Sequence, residues 1–231
     1  MRIILQNIKK VFKYHWVKSR NVQSVEELVD RHFKYWSESA HINRHGLTVA
    51  LKNVNLENPV LVETGTSAYG TDSSRLFDAF VAHYGGAFHS VDLNPVASKR
   101  LIFQHSRQSH FYIGDSVNFL KDELGHQTKT VDLFYLDSFD VDWENPMAAA
   151  QHGLAEYKAL YKYIKTGTVL VIDDTPATIE YIPKHFHKNT LKFLEEYGVL
   201  PGKGALILKE LQEIKSVQVL SHEYNLVLKF T

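Results

Sequence analysis

Six carboxylates close short apolar runs in this sequence: Glu63 after VLV, Asp92 after FHSV, Asp115 after HFYIG, Asp137 after VDLFYL, and Asp173 with Asp174 after GTVLVI. An acid in such a place can accept both hydroxyls of a ribose, attract a cationic group or coordinate a hard metal ion. It can also do no more than cap the helix that follows, a reading that suits Asp115 well. The stretch between Glu63 and the next helix, Thr64-Gly65-Thr66-Ser67-Ala68-Tyr69-Gly70, is made mostly of small residues, which let a ligand approach the backbone. It lacks the G-x-G-x-x-G spacing that aims glycine-opened backbone at a pyrophosphate, and Glu63 beside it would repel phosphate and attract a cation.

The elements that must position these acids follow from the pattern of apolar runs. From Pro59 onward, strand-sized runs (60 to 63, 88 to 92, 110 to 115, 131 to 137 and 167 to 174) alternate with helix-like segments. The runs are short and unalternating, as in strands buried on both faces. Helices are expected from near Thr71–Ser74 to Gly85-Gly86, from Asn94-Pro95, from about Pro146 to Lys165, and ending at Gly198. At the tail, GALILKEL and VQVLSHEYNLVLKF are separated by only a short polar link and read as two antiparallel strands. The expected fold class is α/β: a Rossmann-like, doubly wound, mostly parallel seven-stranded sheet, with a C-terminal antiparallel hairpin and an N-terminal helical extension. Residues 1–46 are assigned to the extension and 47–231 to the main domain. Within the extension, Ser24-Val-Glu-Glu27 is a capping-box pattern opening a helix to about Trp36.

Composition narrows the function. Twenty-six basic residues balance 26 acidic ones, so no global field recruits nucleic acid, and the absence of cysteine excludes disulfide frameworks and thiolate metal sites. No apolar run reaches membrane-spanning length and no signal-peptide core is present, so a cytoplasmic protein is expected. The first twenty residues carry six basic side chains and no acid, with Ile4, Ile8, Val11, Phe12 and Trp16 near helical spacing. Packing of that stripe on the domain is favoured over contact with an anionic membrane.

In an open α/β sheet the ligand lies beyond the carboxyl ends of the strands. Asp92 is placed there to take the ribose hydroxyls, Asp115 and Ser116 to bracket an adenine edge, and Glu63 with Gly65, Thr66 and Ser67 to meet a cationic amino-acid tail. Asp137 closes the same site. S-adenosylmethionine combines all three chemical features.

VLVETGTSAYGTDSSRLF, HSVDLNP, YIGDSVNFL and VDLFYLDS resemble the successive motifs of class I S-adenosylmethionine-dependent methyltransferases. LDSFD, followed by HGLAEYKALYKYIKTGTVLVIDDTP, is similar to the metal-dependent sugar and antibiotic O-methyltransferases and the cephalosporin hydroxylase-like proteins. That resemblance implies a divalent cation, Mg²⁺ first, held by Asp137, Asp173 and Asp174. Three carboxylates from neighbouring strand ends do repel one another unless protonated, separated or neutralised, and oxygen-only ligands select a hard ion.

The expected reaction is methyl transfer to a hydroxyl of a small molecule or sugar, a diol-like acceptor suiting the metal. His152 is the first candidate for the base and Asp140 the second. His152 and Glu156, four apart on one helical face, can equally pair with each other. Tyr69, Asp142, Trp143 and the His185-Phe-His187 run are acceptor-side candidates. A homo-oligomer is compatible with the sequence. The rival readings are a nucleotide-dependent oxidoreductase on the same layers and a non-catalytic cofactor-binding module.

Overall fold

The computed structural model describes residues 12–13, 22–67, 70–101, 104–211 and 216–231. The basic stretch Met1–Arg20 therefore lies outside the described residues apart from Phe12 and Lys13, and so do Ala68 and Tyr69. Lys13 donates to the Tyr35 carbonyl at 2.6 Å.

Ser24 accepts from the Glu27 amide and starts α1 (Val25–Tyr35), whose Leu28, Val29 and Phe33 are buried. Helix α2 (Arg44–Lys52) buries Leu47, Ala50 and Leu51 in the same core. The expected division at residue 46 falls inside α2, which packs on the sheet with α1 against it. There follow β1 (Val60–Thr64), α3 (Ser73–Tyr84), β2 (Ala87–Asp92), α4 (Pro95–Leu101) and β3 (Ser109–Ile113). Helix α5 (Ser116–Asn118) runs on through a π-helical turn at Phe119–Glu123, and then come β4 (Leu133–Leu136), α6 (Met147–Leu160) and β5 (Val169–Ile172). The chain closes with α7 (His187–Tyr197), α8 (Ala205–Leu211), β6 (Val217–His222) and β7 (Leu226–Phe230).

The seven strands are ordered β3-β2-β1-β4-β5-β7-β6, parallel except for β7, which runs antiparallel to both neighbours. The β1–β4 register pairs Glu63 with Tyr135 and Thr64 with Leu136, so the ends of these strands open into one cleft. Successive strand residues feed opposite cores. Leu61, Leu133, Tyr135, Val169 and Val171 pack with α1, α2 and α3, while Val62, Phe134, Leu136, Leu170 and Ile172 pack with α5, α6 and α8. This two-sided burial is why the runs read as continuous hydrophobics. The edge strands depart from it, with Ile113 on β3 and Val219 on β6 exposed.

The sheet has seven strands, but not the seven expected. GALILKEL supplies helix α8, burying Ala205 and Ile207, and the hairpin is contained within VQVLSHEYNLVLKF, which turns at Glu223–Asn225. A short apolar run fits either a buried strand or a buried helix, and here the helix won. Among the described residues no helix is long and apolar enough to cross a membrane.

Candidate functional site

Glu63 organises the turn after β1 from below. It is fully buried, and its carboxylate accepts from the hydroxyls of Ser73 (2.5 Å), Ser74 and Ser90 (2.6 Å). Burial pushes this carboxyl up to about 7, against the pull of the three hydroxyls. The bonds continue outward. Ser74 accepts from the Ser67 amide at 2.7 Å, and Ser90 lies 2.8 Å from the Thr66 hydroxyl. Glu63 thus shapes the loop that a ligand would touch, and its oxygens are occupied by serines rather than turned to a cationic tail.

The turn itself is strained. Of the four non-glycine residues with positive φ among the described residues, Ser67 (56°), Asp72 (51°) and Asp174 (42°) lie at this end of the sheet. Each costs of order 1–2 kcal/mol, and such conformations persist where the surroundings over-determine them. Asp72 does this for the turn, accepting from Ser67 Oγ at 2.9 Å and from Arg75 Nε at 2.5 Å. Gly65 has φ +85°, and a Cβ there would run into the Asp137 carbonyl. Its glycine lets the β1 turn lie directly on the β4 end. The N-terminal helices hold the far side: His32 Nε2 donates to the Thr71 carbonyl at 2.7 Å, and Ser37 donates to that of Gly70 at 2.5 Å.

Asp92 stands at the rim of this turn, half-buried. Its Oδ2 accepts from the Thr66 amide at 2.9 Å and its Oδ1 from the Asn94 amide at 2.7 Å. Each carboxylate oxygen has further acceptor capacity, so two anchored oxygens remain able to receive a pair of hydroxyls. Asp115 does cap α5, its Oδ1 accepting from the Asn118 amide at 2.9 Å. Ser116 turns inward, its hydroxyl 3.1 Å from His152 Nε2.

His152 belongs to that second cluster. Its Nε2 lies 2.9 Å from Ser138 Oγ and 3.5 Å from Glu156 Oε1, and Ser138 also donates to Glu156 at 2.7 Å. Glu156 is buried and raises the His152 pKa through their hydrogen bond, against burial. The His152 Nε2 is engaged within this cluster, shared among Ser116, Ser138 and Glu156. Asp140 lies exposed on the loop after β4. Asp142 accepts from the Glu144 amide as a turn residue, and His187 bonds the Ile182 carbonyl at 2.8 Å at the start of α7.

Asp137, Asp173 and Asp174 do converge, but on an ammonium. Lys203 Nζ bonds Asp137 Oδ1 and lies 3.0 Å from Asp174 Oδ2, with its side chain 3% exposed. Most of the other oxygens are also served. Asp173 Oδ2 accepts from Tyr135 OH (2.6 Å) and Asn43 Nδ2 (2.7 Å), and its Oδ1 from the Asp174 amide (3.0 Å). Tyr224 OH donates to Asp174 Oδ1, and Tyr135 OH lies 3.4 Å from Asp137 Oδ2. Burial pushes Asp137 and Asp173 up, with Lys203 opposing it. Burial would likewise discharge Lys203, but the carboxylates of Asp137, Asp174 and Asp173 outweigh it and hold its pKa above the usual lysine value. The three acids expected to form a metal triad are thus gathered around Lys203. Five of the six carboxylate oxygens have a hydrogen donor of their own, the single Tyr135 proton going to Asp173 rather than to Asp137 Oδ2, and among the described residues no group of three or more acids and histidines is arranged to hold a metal ion.

Sequence reading missed Lys203, Asn43, Tyr135 and Tyr224. The one visible signal for Lys203 is its setting in Pro201-Gly-Lys-Gly204. The Lys203 amide donates to the Asp174 carbonyl at 3.1 Å, and the Gly204 amide to Thr175 Oγ1 at 2.9 Å, pressing this loop onto the β5 end. Opposite, the Lys203 carbonyl fills the space a Cβ on Gly153 of α6 would need.

No family model and no curated protein matches this sequence. Solved structures do. The MycE methyltransferase of the mycinamycin biosynthetic pathway, in complex with Mg and SAH, superposes with a TM-score of 0.62 at 16% identity over 91% of this chain. The chain spans 55% of the MycE chain's length. The O-methyltransferase TomG of Streptomyces achromogenes, in complex with SAM, gives 0.51 at 14% identity, covering 92% of this chain and 91% of its own. CalS11, a TDP-rhamnose 3'-O-methyltransferase, gives 0.51 at 15%, covering 96% and 93%. At these identities the likeness is one of fold: the chain has the Rossmann-like fold of S-adenosylmethionine-dependent methyltransferases.

Proposed function

We propose that this chain is an O-methyltransferase that carries the methyl group of S-adenosylmethionine to a hydroxyl of a small molecule or sugar. The observation that carries this reading is Asp92. Its two oxygens are fixed by the Thr66 and Asn94 amides at the mouth of a turn with no phosphate fingerprint. That arrangement suits a ribose diol, and the missing G-x-G-x-x-G spacing in the turn beside it is what argues against a pyrophosphate and the oxidoreductase alternative. The fold likeness to enzymes solved with SAM or SAH supports the same cofactor.

In this reading Gly65, Thr66 and Ser67 supply the backbone against the amino-acid end, shaped by Glu63 from beneath. Asp92 orients the ribose. Asp115, through the oxygen not used in capping, and the Ser116–Ser138–His152 cluster border the adenine. The sulfonium supplies an electrophilic methyl: its C–S bond breaks as the C–O bond to the acceptor forms, leaving a neutral thioether while the hydroxyl proton passes to a base. Asp140 takes that proton, being exposed and three residues beyond Asp137. His152, paired with Glu156, orients the serines. No step is assigned to Mg²⁺, because the carboxylates that would bind it are satisfied by Lys203, Tyr135, Asn43 and Tyr224. The likeness to CalS11, a TDP-rhamnose 3'-O-methyltransferase, supports a sugar-bearing acceptor.

The test is S-adenosylhomocysteine production with a panel of sugar diols, catechols and hydroxy acids. Product with at least one acceptor, lost in Asp92→Ala, is expected. Cofactor binding without turnover on any acceptor would favour a non-catalytic binding module.

A further inference from the structure

We propose that Lys203 is a built-in cation that takes the place of a divalent metal ion in the Asp137–Asp173–Asp174 cluster. The cluster is made to hold positive charge: three acids from the ends of two adjacent strands, two of them nearly fully buried, would repel one another if left uncompensated. The charge found there is an ammonium at the end of a flexible stem, bridging β4 and β5 by reaching one oxygen on each of Asp137 and Asp174. A divalent ion at the same place would need those two oxygens stripped of Lys203 and several others stripped of tyrosine and asparagine donors. The backbone makes the lysine's position firm. Its amide and carbonyl are packed between Asp174 and Gly153, which fixes the point from which the side chain reaches the acids.

Lys203 acts here through the carboxylates and is a positioning residue. Its consequence for the proposed transfer is that turnover proceeds without added metal. The inference takes its meaning from that reading, but its test does not use turnover, so the two can fail separately. The probe is Mn²⁺, followed by electron paramagnetic resonance of the free ion and by thermal unfolding of the full chain, in wild type, Lys203→Ala and Lys203→Ala/Asp174→Asn. Wild type is expected to take up no Mn²⁺ at a tenfold excess and to unfold at one temperature with Mn²⁺ or with chelator. Lys203→Ala, with three acids around a vacated site, is expected to bind one Mn²⁺ and to gain at least several degrees from it, a gain lost in the double variant. Lys203→Met, which keeps the bulk and removes the charge, is expected to show no such gain. One Mn²⁺ bound by wild type and lost in Asp174→Asn would overturn the inference, and so would a folded Lys203→Ala that ignores Mn²⁺. If Lys203→Ala does not fold, the wild-type titration decides: uptake dependent on Asp174 overturns the proposal and no uptake upholds it.

Discussion

Lys203 Nζ lies 3.0 Å from Asp174 Oδ2 and bonds Asp137 Oδ1 at the same time, so one side chain from the loop before α8 joins the ends of β4 and β5. Removing one member of a buried ion pair is costly because the other is left as an uncompensated charge, typically about 3–5 kcal/mol. Lys203→Met should therefore lower unfolding free energy by roughly 3 kcal/mol or more at neutral pH. Asp174→Asn should cost less, since Asp137 still faces the ammonium. Urea unfolding of both variants checks the order, and equal small losses would mean that Lys203 is not the keystone of the cluster.

Asp92 offers a cleaner separation of binding from folding, because it is only half-buried and its anchors are backbone amides. Loss of a charge-assisted hydrogen bond costs about 1.5–3 kcal/mol. Asp92→Ala should weaken S-adenosylhomocysteine binding by about tenfold or more with the fold intact. Calorimetry on a variant with a native circular dichroism spectrum reads this directly. Unchanged affinity would remove Asp92 from the ribose site.

Glu63 should leave a signature in the pH dependence of stability. Its carboxyl is raised from an ordinary value near 4.5 to about 7 by burial, so between those values the native chain holds a proton that the unfolded chain has released. The stabilisation is fully present below about pH 4.5 and is lost as pH rises through 7, on the order of 3 kcal/mol in all. Glu63→Gln keeps the size and imitates the protonated acid, since serine hydroxyls can either donate to or accept from the amide. Its unfolding free energy should fall less than wild type's between pH 5 and 8. Identical pH profiles for the two would show that Glu63 titrates normally.

The strand ends were legible in the sequence because a sheet covered on both faces demands continuous apolar runs, and the acids that break those runs mark where the strands emerge. Asp92 and Asp115 are found at such junctions, and Ser24, Gly85 and Gly198 bound helices as their chemistry predicts. GALILKEL fits either element, because eight apolar-rich residues carry no decisive period. Glu63 was legible in place but not in orientation, since the three serines that bind it lie 10, 11 and 27 residues away. Lys203 could not be read at all as Asp137's partner. The two are 66 residues apart, and nothing but the packing of the Pro201–Gly204 loop against Asp174, Thr175 and Gly153 brings them together.

The central claim is that the cleft beyond β1 and β2 is built for S-adenosylmethionine, and calorimetric titration of the full chain with S-adenosylmethionine and, separately, with NAD tests it most directly. The account predicts saturable one-to-one binding of S-adenosylmethionine, undiminished by chelator, and no measurable binding of NAD. Binding of NAD in preference to S-adenosylmethionine, or no heat with S-adenosylmethionine at all, would contradict it.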